Sequence, residues 1–339
     1  MPGRVIYRLP PYVLGPQVLL PKDAQDRKPW SLVVSGVPDH WAKTKGAGVC
    51  VAVLDTGLWK HKDLPDPAFV ANFTRSQTDF DCQGHGSHVA GTIGARLDGA
   101  GVVGWAPECD LGCVKVLGDD GAGTDEGIAK GIYYAAEHGA QIINMSLGGG
   151  YSPRIAQACQ DVVQQGVFVI CAAGNEGGDS SQSMVGYPAK LPETIAITSY
   201  NQDKRISEYS SRGPEVDVAF PGEDILSTWL DNTFRSISGT SMATPACSGL
   251  TALLLGLPDT PGSDRPRHNT QLRERLKAHA IDMGAPGFDP EFGWGVPDAG
   301  KFLCPSTAPA AVLQPLGKSQ LLLQPAQLGD KQGFFIALA

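Results

Sequence analysis

The 339-residue chain lacks any apolar run approaching the length of about 18 residues that a membrane-spanning helix needs, so no span is expected. It lacks an excess of positive charge. Lys and Arg number 27 against 35 Asp and Glu, the net charge is −8, and the pI is about 5.3. Nucleic-acid binding through a basic surface is therefore not expected. It lacks the profile of a secretory leader. The opening stretch, MPGRVIYRLPPYVLGPQVLLPKDAQ, is broken by proline and arginine and has no continuous apolar core before a small-residue cleavage site. A cytoplasmic location is the expectation. Cys109 and Cys113 lack a second pair at zinc-site spacing. Without an export signal, the eight cysteines (Cys50, Cys82, Cys109, Cys113, Cys159, Cys171, Cys247, Cys304) are expected as reduced thiols, several of them small buried hydrophobes. No internal repeat is visible.

The chain does have core material. Its 42% hydrophobic content suits one large α/β domain or two smaller ones. Short apolar runs recur at VCVAVL (49–54), LGCVKVL (111–117), IINMSL (142–147), VFVICAA (167–173) and TIAITSY (194–200). Continuous runs of this kind are buried parallel strands. Helical patterns lie between them. One spans Thr124 to His138, with Thr124 as N-cap and Gly139 as stop; another follows Ser152-Pro153 and runs to Gly166. Further helices are expected from Ser241 through LTALLLGL and over QLRERLKAHA (271–280). The alternation predicts an α/β fold, a doubly wound, mostly parallel sheet flanked by helices. In such sheets ligands gather at the carboxyl ends of strands, where Asp55 and Asn175 lie.

Four segments carry candidate chemistry: VAVLDTG (51–57), GHGSHVAGT (84–92), CAAGNEG (171–177) and GTSMATP (239–245). Alone, Ser241 in the last of these is also an ordinary small residue at a helix start. Acyl transfer by a serine needs a hydroxyl, a base, a carboxylate to orient the base, and donors for the developing oxyanion. The segments offer one of each, in the order Asp, His, Asn, Ser.

Together they resemble the subtilisin-like serine proteases, or subtilases, over residues 30–304, with bacterial intracellular subtilisins the nearest in pattern. The resemblance implies a serine endopeptidase with Ser241 as nucleophile, His85 as general base, Asp55 as orienting carboxylate and Asn175 as oxyanion donor. His88, one helical turn after His85, is read as structural, since no Glu completes an HExxH pattern. Ala246 stands where the family usually has a histidine after the proline; altered packing is expected there. An esterase of the α/β-hydrolase type does not fit, because that fold wants G-x-S-x-G with its histidine later in the chain. The rival of a different class is a subtilase fold that has lost catalysis and only binds.

The resemblance also implies a groove for polypeptide substrates. Ser146, Leu147, Gly148 and Gly149 would form one edge, and Leu117, Gly118 and Gly121 belong to the other. Ala172, Ala173, Gly174 and Gly186 would line the pocket before the cut bond, and their small size predicts a preference for large apolar side chains. A structural calcium site is expected at the loop 95–104. Asp98 and Asp63 would offer carboxylates, and Arg96, Ala100 and Val102 carbonyls. Residues 1–29 form an N-terminal extension. Its RLPPYVL stretch (8–14) resembles the short arm of intracellular subtilisins and would lie in the groove as an inhibitor until clipped. Residues 305–339 are read as a tail of uncertain order. A homodimer is an expectation from the relatives alone.

Overall fold

A computed structural model describes residues 5–20, 25–178, 182–258 and 265–304, together with the backbone of two short strands at 326–328 and 331–333. The tail expectation falls mostly outside the described residues. In chain order the arm supplies β1 (Ile6–Arg8) and β2 (Val13–Val18), followed by α1 (Trp30–Ser35). Then come β3 (Cys50–Asp55), β4 (Phe69–Asn72), α2 (His85–Gly94), β5 (Asp110–Lys115), β6 (Ala122–Thr124) and α3 (Asp125–Glu137). β7 (Ile142–Met145), β8 (Gly148–Gly149), α4 (Pro153–Gln164), β9 (Phe168–Ala172), β10 (Ile195–Tyr200) and β11 (Val218–Pro221) follow. The last third holds β12 (Ile225–Thr228), β13 (Phe234–Ser238), α5 (Thr240–Leu255) and α6 (Asn269–Ala278).

Seven strands form one sheet in the order β11-β10-β9-β7-β3-β5-β4, and every neighbouring pair is parallel. The alternation of side chains along each strand explains why the runs are mostly apolar, with Lys115, Asn144 and Thr198 among the buried polar exceptions. In β3, Val51 and Val53 face a core shared with Val89 and Ile93 of α2 and Leu250 and Leu253 of α5. Ala52 and Leu54 face the opposite core, against Ile128 and Ile132 of α3 and Ile155 and Val162 of α4. Both faces are covered, as a doubly wound sheet requires. This is the α/β architecture expected from the sequence.

The expected capping chemistry is present at α3 and only in part at α4. Thr124 accepts the N–H of Gly127 and starts α3. Ser152 with Pro153 starts α4, although the Ser152 side chain makes no cap bond there and binds Asp125 instead. The N-terminal extension contributes strands of its own. β1 pairs antiparallel with β6 on one side and β8 on the other, and β2 pairs antiparallel with β13. These strands are fixed by partners far along the chain and not by an internal pattern.

Candidate active site

Asp55 ends β3 with its carboxylate buried. Burial of a charge is tolerated only with partners. Asp55 Oδ1 accepts the N–H of Thr56 at 2.7 Å, and both oxygens face His85 Nδ1, at 2.8 and 3.0 Å. Because the carboxylate only accepts, Nδ1 carries the proton, and in the neutral ring the lone pair lies on Nε2. His85 opens α2, preceded by Gly84 at φ +102. A Cβ on Gly84 would stand 2.4 Å from the Trp229 ring, so glycine alone fits this entry.

A residue that the sequence reading passed over ties these two together. Asp81, fully buried, accepts from Thr56 Oγ1 (2.9 Å), Gln83 N (2.9 Å), Gly84 N (2.7 Å), Ser87 N (2.8 Å) and Ser87 Oγ (2.7 Å). Thr56 Oγ1 in turn accepts the N–H of Gly86. The strand end bearing Asp55 is thereby bolted to the first turn of α2 bearing His85. An aspartate just ahead of a helix start was the available signal. Lys115, also fully buried, adds a second bolt: its Nζ donates to the carbonyls of Thr56 and Phe80 and to Asp119.

Ser241 is the second residue of α5, where free N–H groups and the helix dipole favour negative charge. Its Oγ donates to the carbonyl of Ser146 at 3.4 Å. His85 Nε2 is buried without a hydrogen-bond partner. The Ser241–His85 bond is therefore not made in this structure. Asn175, in the turn after β9, is held by its oxygen: Oδ1 accepts from Thr240 N at 2.9 Å and from Thr240 Oγ1 at 2.8 Å. That leaves Nδ2 aimed into the groove, where it donates to the carbonyl of Pro11 at 2.6 Å.

The arm fills the groove. Leu9 N donates to Gly121 O at 3.1 Å, and Arg8 and Tyr7 lie opposite Gly148 and Gly149. Tyr7 is fully buried among Leu117, Leu147 and Ile128, and its hydroxyl donates to Gly150 O at 2.6 Å. Burial is the main reason that this phenol's pKa is raised. Burying such a ring contributes about 2 kcal/mol. A Cβ on Gly149 would lie 2.8 Å from the Tyr7 ring, which is why that edge is glycine. The Tyr12 ring packs on His85 with centroids 5.2 Å apart, and Gln83 Nε2 bonds its hydroxyl.

The other predicted groove residues lie around this path. Gly118 N donates to Ala122 O at 2.8 Å, closing the turn before β6. Gly186 N donates to Ala173 O at 2.9 Å, joining two walls of the expected pocket. A Cβ built on Gly186 meets nothing nearer than 3.9 Å, so the space beside it is open. Gly174 sits at φ +117 and its N–H donates to Thr240 Oγ1. His88 points away from this chemistry. Its Nε2 bonds the carbonyls of Ile225 and Arg235 at 2.8 and 3.0 Å, and burial lowers its pKa to about 3.

At the expected calcium loop, Asp63 Oδ2 accepts the N–H of Val102 at 2.8 Å, and Arg96 N donates to Asp63 O. A Cβ on Gly101 would fall 1.9 Å from Asp63 Oδ2, so glycine lets the carboxylate come close. Burial raises the Asp63 pKa to about 6, against the Val102 hydrogen bond, with the charges of Asp98 and Asp26 adding to it. Asp26 is a second residue missed from sequence; its carboxylate accepts from Asp98 N and Gly99 N at 3.3 and 2.9 Å. Among the described residues no three His, Cys, Asp or Glu side chains converge as a metal cluster. A cation at this loop would therefore draw on backbone oxygens too.

Comparison with known proteins identifies the family. Residues 46–295 match the Subtilase family. The chain is 43% identical over 258 residues to the major intracellular serine protease of Bacillus subtilis, covering 73% of this chain and 80% of that protein. It is 39% identical over 284 residues to the intracellular serine protease of Paenibacillus polymyxa, covering 80% and 86%. Subtilisin E of Bacillus subtilis is 42% identical over 244 residues, covering 70% and 62%. The chain belongs to the subtilase family of serine proteases.

Proposed function

We propose that this serine endopeptidase works through Ser241, His85, Asp55 and Asn175. Ser241 Oγ attacks the peptide carbonyl while His85 Nε2 takes its proton. Asp55 holds the ring in the Nδ1–H tautomer and stabilises it once charged. The oxyanion is met by Asn175 Nδ2 and the N–H of Ser241. The proton on Nε2 then passes to the leaving amine, and water resolves the acyl-enzyme by the same route. The carrying observation is that a backbone carbonyl, that of Pro11, already lies 2.6 Å from Asn175 Nδ2, beside the buried Asp55–His85 pair. Small linings at Ala173, Gly174 and Gly186 favour a large apolar residue before the cut.

The arm acts as an inhibitor that the enzyme cuts poorly. It runs through the groove in one direction, from β1 through Pro10 and Pro11 to Tyr12 on His85. Neither proline has an N–H to give the groove. The Ser146 carbonyl takes the Ser241 hydroxyl instead, which turns the nucleophile away from its base. Calcium here would draw on Asp63 and Asp98 with loop carbonyls of Arg96, Ala100 and Val102, the carbonyls making up for the lack of a three-carboxylate cluster among the described residues. The Bacillus subtilis and Paenibacillus polymyxa relatives are intracellular serine proteases, which supports action in the cytoplasm.

Fluorophosphonate labelling tests the core of this reading. The chain lacking residues 1–18 is expected to label quickly, the full chain slowly, and Ser241→Ala not at all. An unlabelled trimmed chain that is folded by circular dichroism would mean a subtilase fold that only binds.

A further inference from the structure

The arm does not stop at the catalytic residues. Beyond Tyr12 it continues as β2, a strand of 6 residues. β2 completes a three-stranded sheet in the order β12-β13-β2, so without it one edge of β13 has no strand. The pairing runs from Ser238↔Val13 and Ile237↔Leu14 to Arg235↔Gln17 and Phe234↔Val18. Gly15 and Pro16 together face Ser236, which is a β-bulge. Pro16 sits where a missing N–H costs no ladder bond. A Cβ on Gly15 would lie 2.9 Å from Ser236 O.

This strand is held by its backbone. Val13 and Leu14 are 62% and 47% exposed, and no residue of β2 is buried. The side-chain contacts around the pairing point the same way: Arg235 Nε donates to the Gly15 carbonyl at 3.0 Å, and the Arg235 guanidinium is itself steadied over the Trp229 ring, 5.1 Å from its centroid. Gln17 Nε2 bonds Thr233 Oγ1 at 2.9 Å. A surface that pairs main chain and buries almost no side chain recognises conformation more than sequence.

We infer that the edge of β13 from Ser238 to Phe234 is a strand-addition platform for the part of a polypeptide substrate that follows the cut bond, with room for the 6 residues that β2 now occupies. It deepens the protease reading and rests on it. The substrate class it selects is an extended, unfolded or loosely folded chain with a long stretch after the cut, and it disfavours cleavage near a C-terminus. Arg235 is a positioning residue in this scheme, since it grips a main-chain carbonyl well away from the reacting bond.

The test uses peptides identical up to the cut and lengthened one residue at a time beyond it. The enzyme is the full chain carrying Tyr7→Asp, which puts a carboxylate into the apolar socket of β1, together with Gly15→Val, whose Cβ would meet Ser236 O at 2.9 Å and unseat β2. The chain lacking residues 1–18 runs in parallel, so that misfolding of either leaves the other. kcat/KM is expected to climb until about six residues follow the cut, a gain of roughly tenfold over the shortest peptide. Methylating single peptide nitrogens in that stretch should hurt at every second position, the period of a ladder. A flat response to length, or equal sensitivity at all positions, overturns the platform while leaving the protease reading intact. If no peptide is cut and the fluorophosphonate does not label Ser241, both readings fall.

Discussion

Asn175 shows how much one side chain depends on its neighbours. Its oxygen is spoken for by Thr240, at the backbone and at the hydroxyl, so its amide nitrogen is committed before any substrate arrives. Electrostatic help of this kind needs no rearrangement during reaction. Asn175→Ala in the trimmed chain is expected to lower kcat by about two to three orders of magnitude with little change in KM, a general figure for one oxyanion donor that was itself taken from a subtilisin. An unchanged kcat would remove Asn175 from the mechanism. The four residues given chemical roles were legible because each sits in a short motif with an immediate physical purpose. Asp81 and Asp26 were not. Asp81 serves five donors, four from residues 83–87 and one from Thr56; its place ahead of α2 hints at the local four, and nothing local announces the bond to Thr56.

Among elements, the central strands were the most readable. β3, β7, β9 and β10 are buried on both faces, so their sequences are largely apolar. β4 and β11 escaped notice. β4, at the sheet edge, is largely half-buried and mixed in character, and β11, at the other edge, ends in Pro221. The arm strands had no signal of their own, since proline interrupts them and their partners lie more than a hundred residues away. The loop after α2 is where an element-scale prediction belongs. Ligand bound only by the folded state raises stability by mass action. Millimolar calcium is therefore expected to raise Tm relative to a chelator-treated sample, and Asp98→Ala to abolish the difference. Equal Tm values with calcium and with chelator would rule out the site.

For the whole molecule, the buried histidines couple folding to pH. Burial lowers the pKa of His88 to about 3 and of His61 to about 4, so both stay neutral in the native state where the unfolded chain would take up protons. Below about pH 6.5 the unfolded state binds more protons, and stability falls as pH drops toward those values, by about 1.4 kcal/mol per pH unit for each group at full effect. Calorimetry between pH 7 and pH 5 should show Tm falling with acid. His88→Gln is expected to be less stable at pH 7 but to depend less steeply on pH. An identical slope in the variant would show that His88 does not contribute. The charge state of two buried rings thus limits where the enzyme can work, whatever the chemistry prefers.

The arm engages the body on both sides of the catalytic residues, through β1 before them and β2 after them. A single nick near Pro11 would release only the leading half. The trailing half would stay zipped to its neighbour and tethered to the rest of the polypeptide, like a product that cannot diffuse away. If the arm inhibits as proposed, liberation of the enzyme would be a two-step event. Intact-mass analysis of the maturing protein should find its fully active form beginning beyond Val18, with any form that begins near Tyr12 still sluggish.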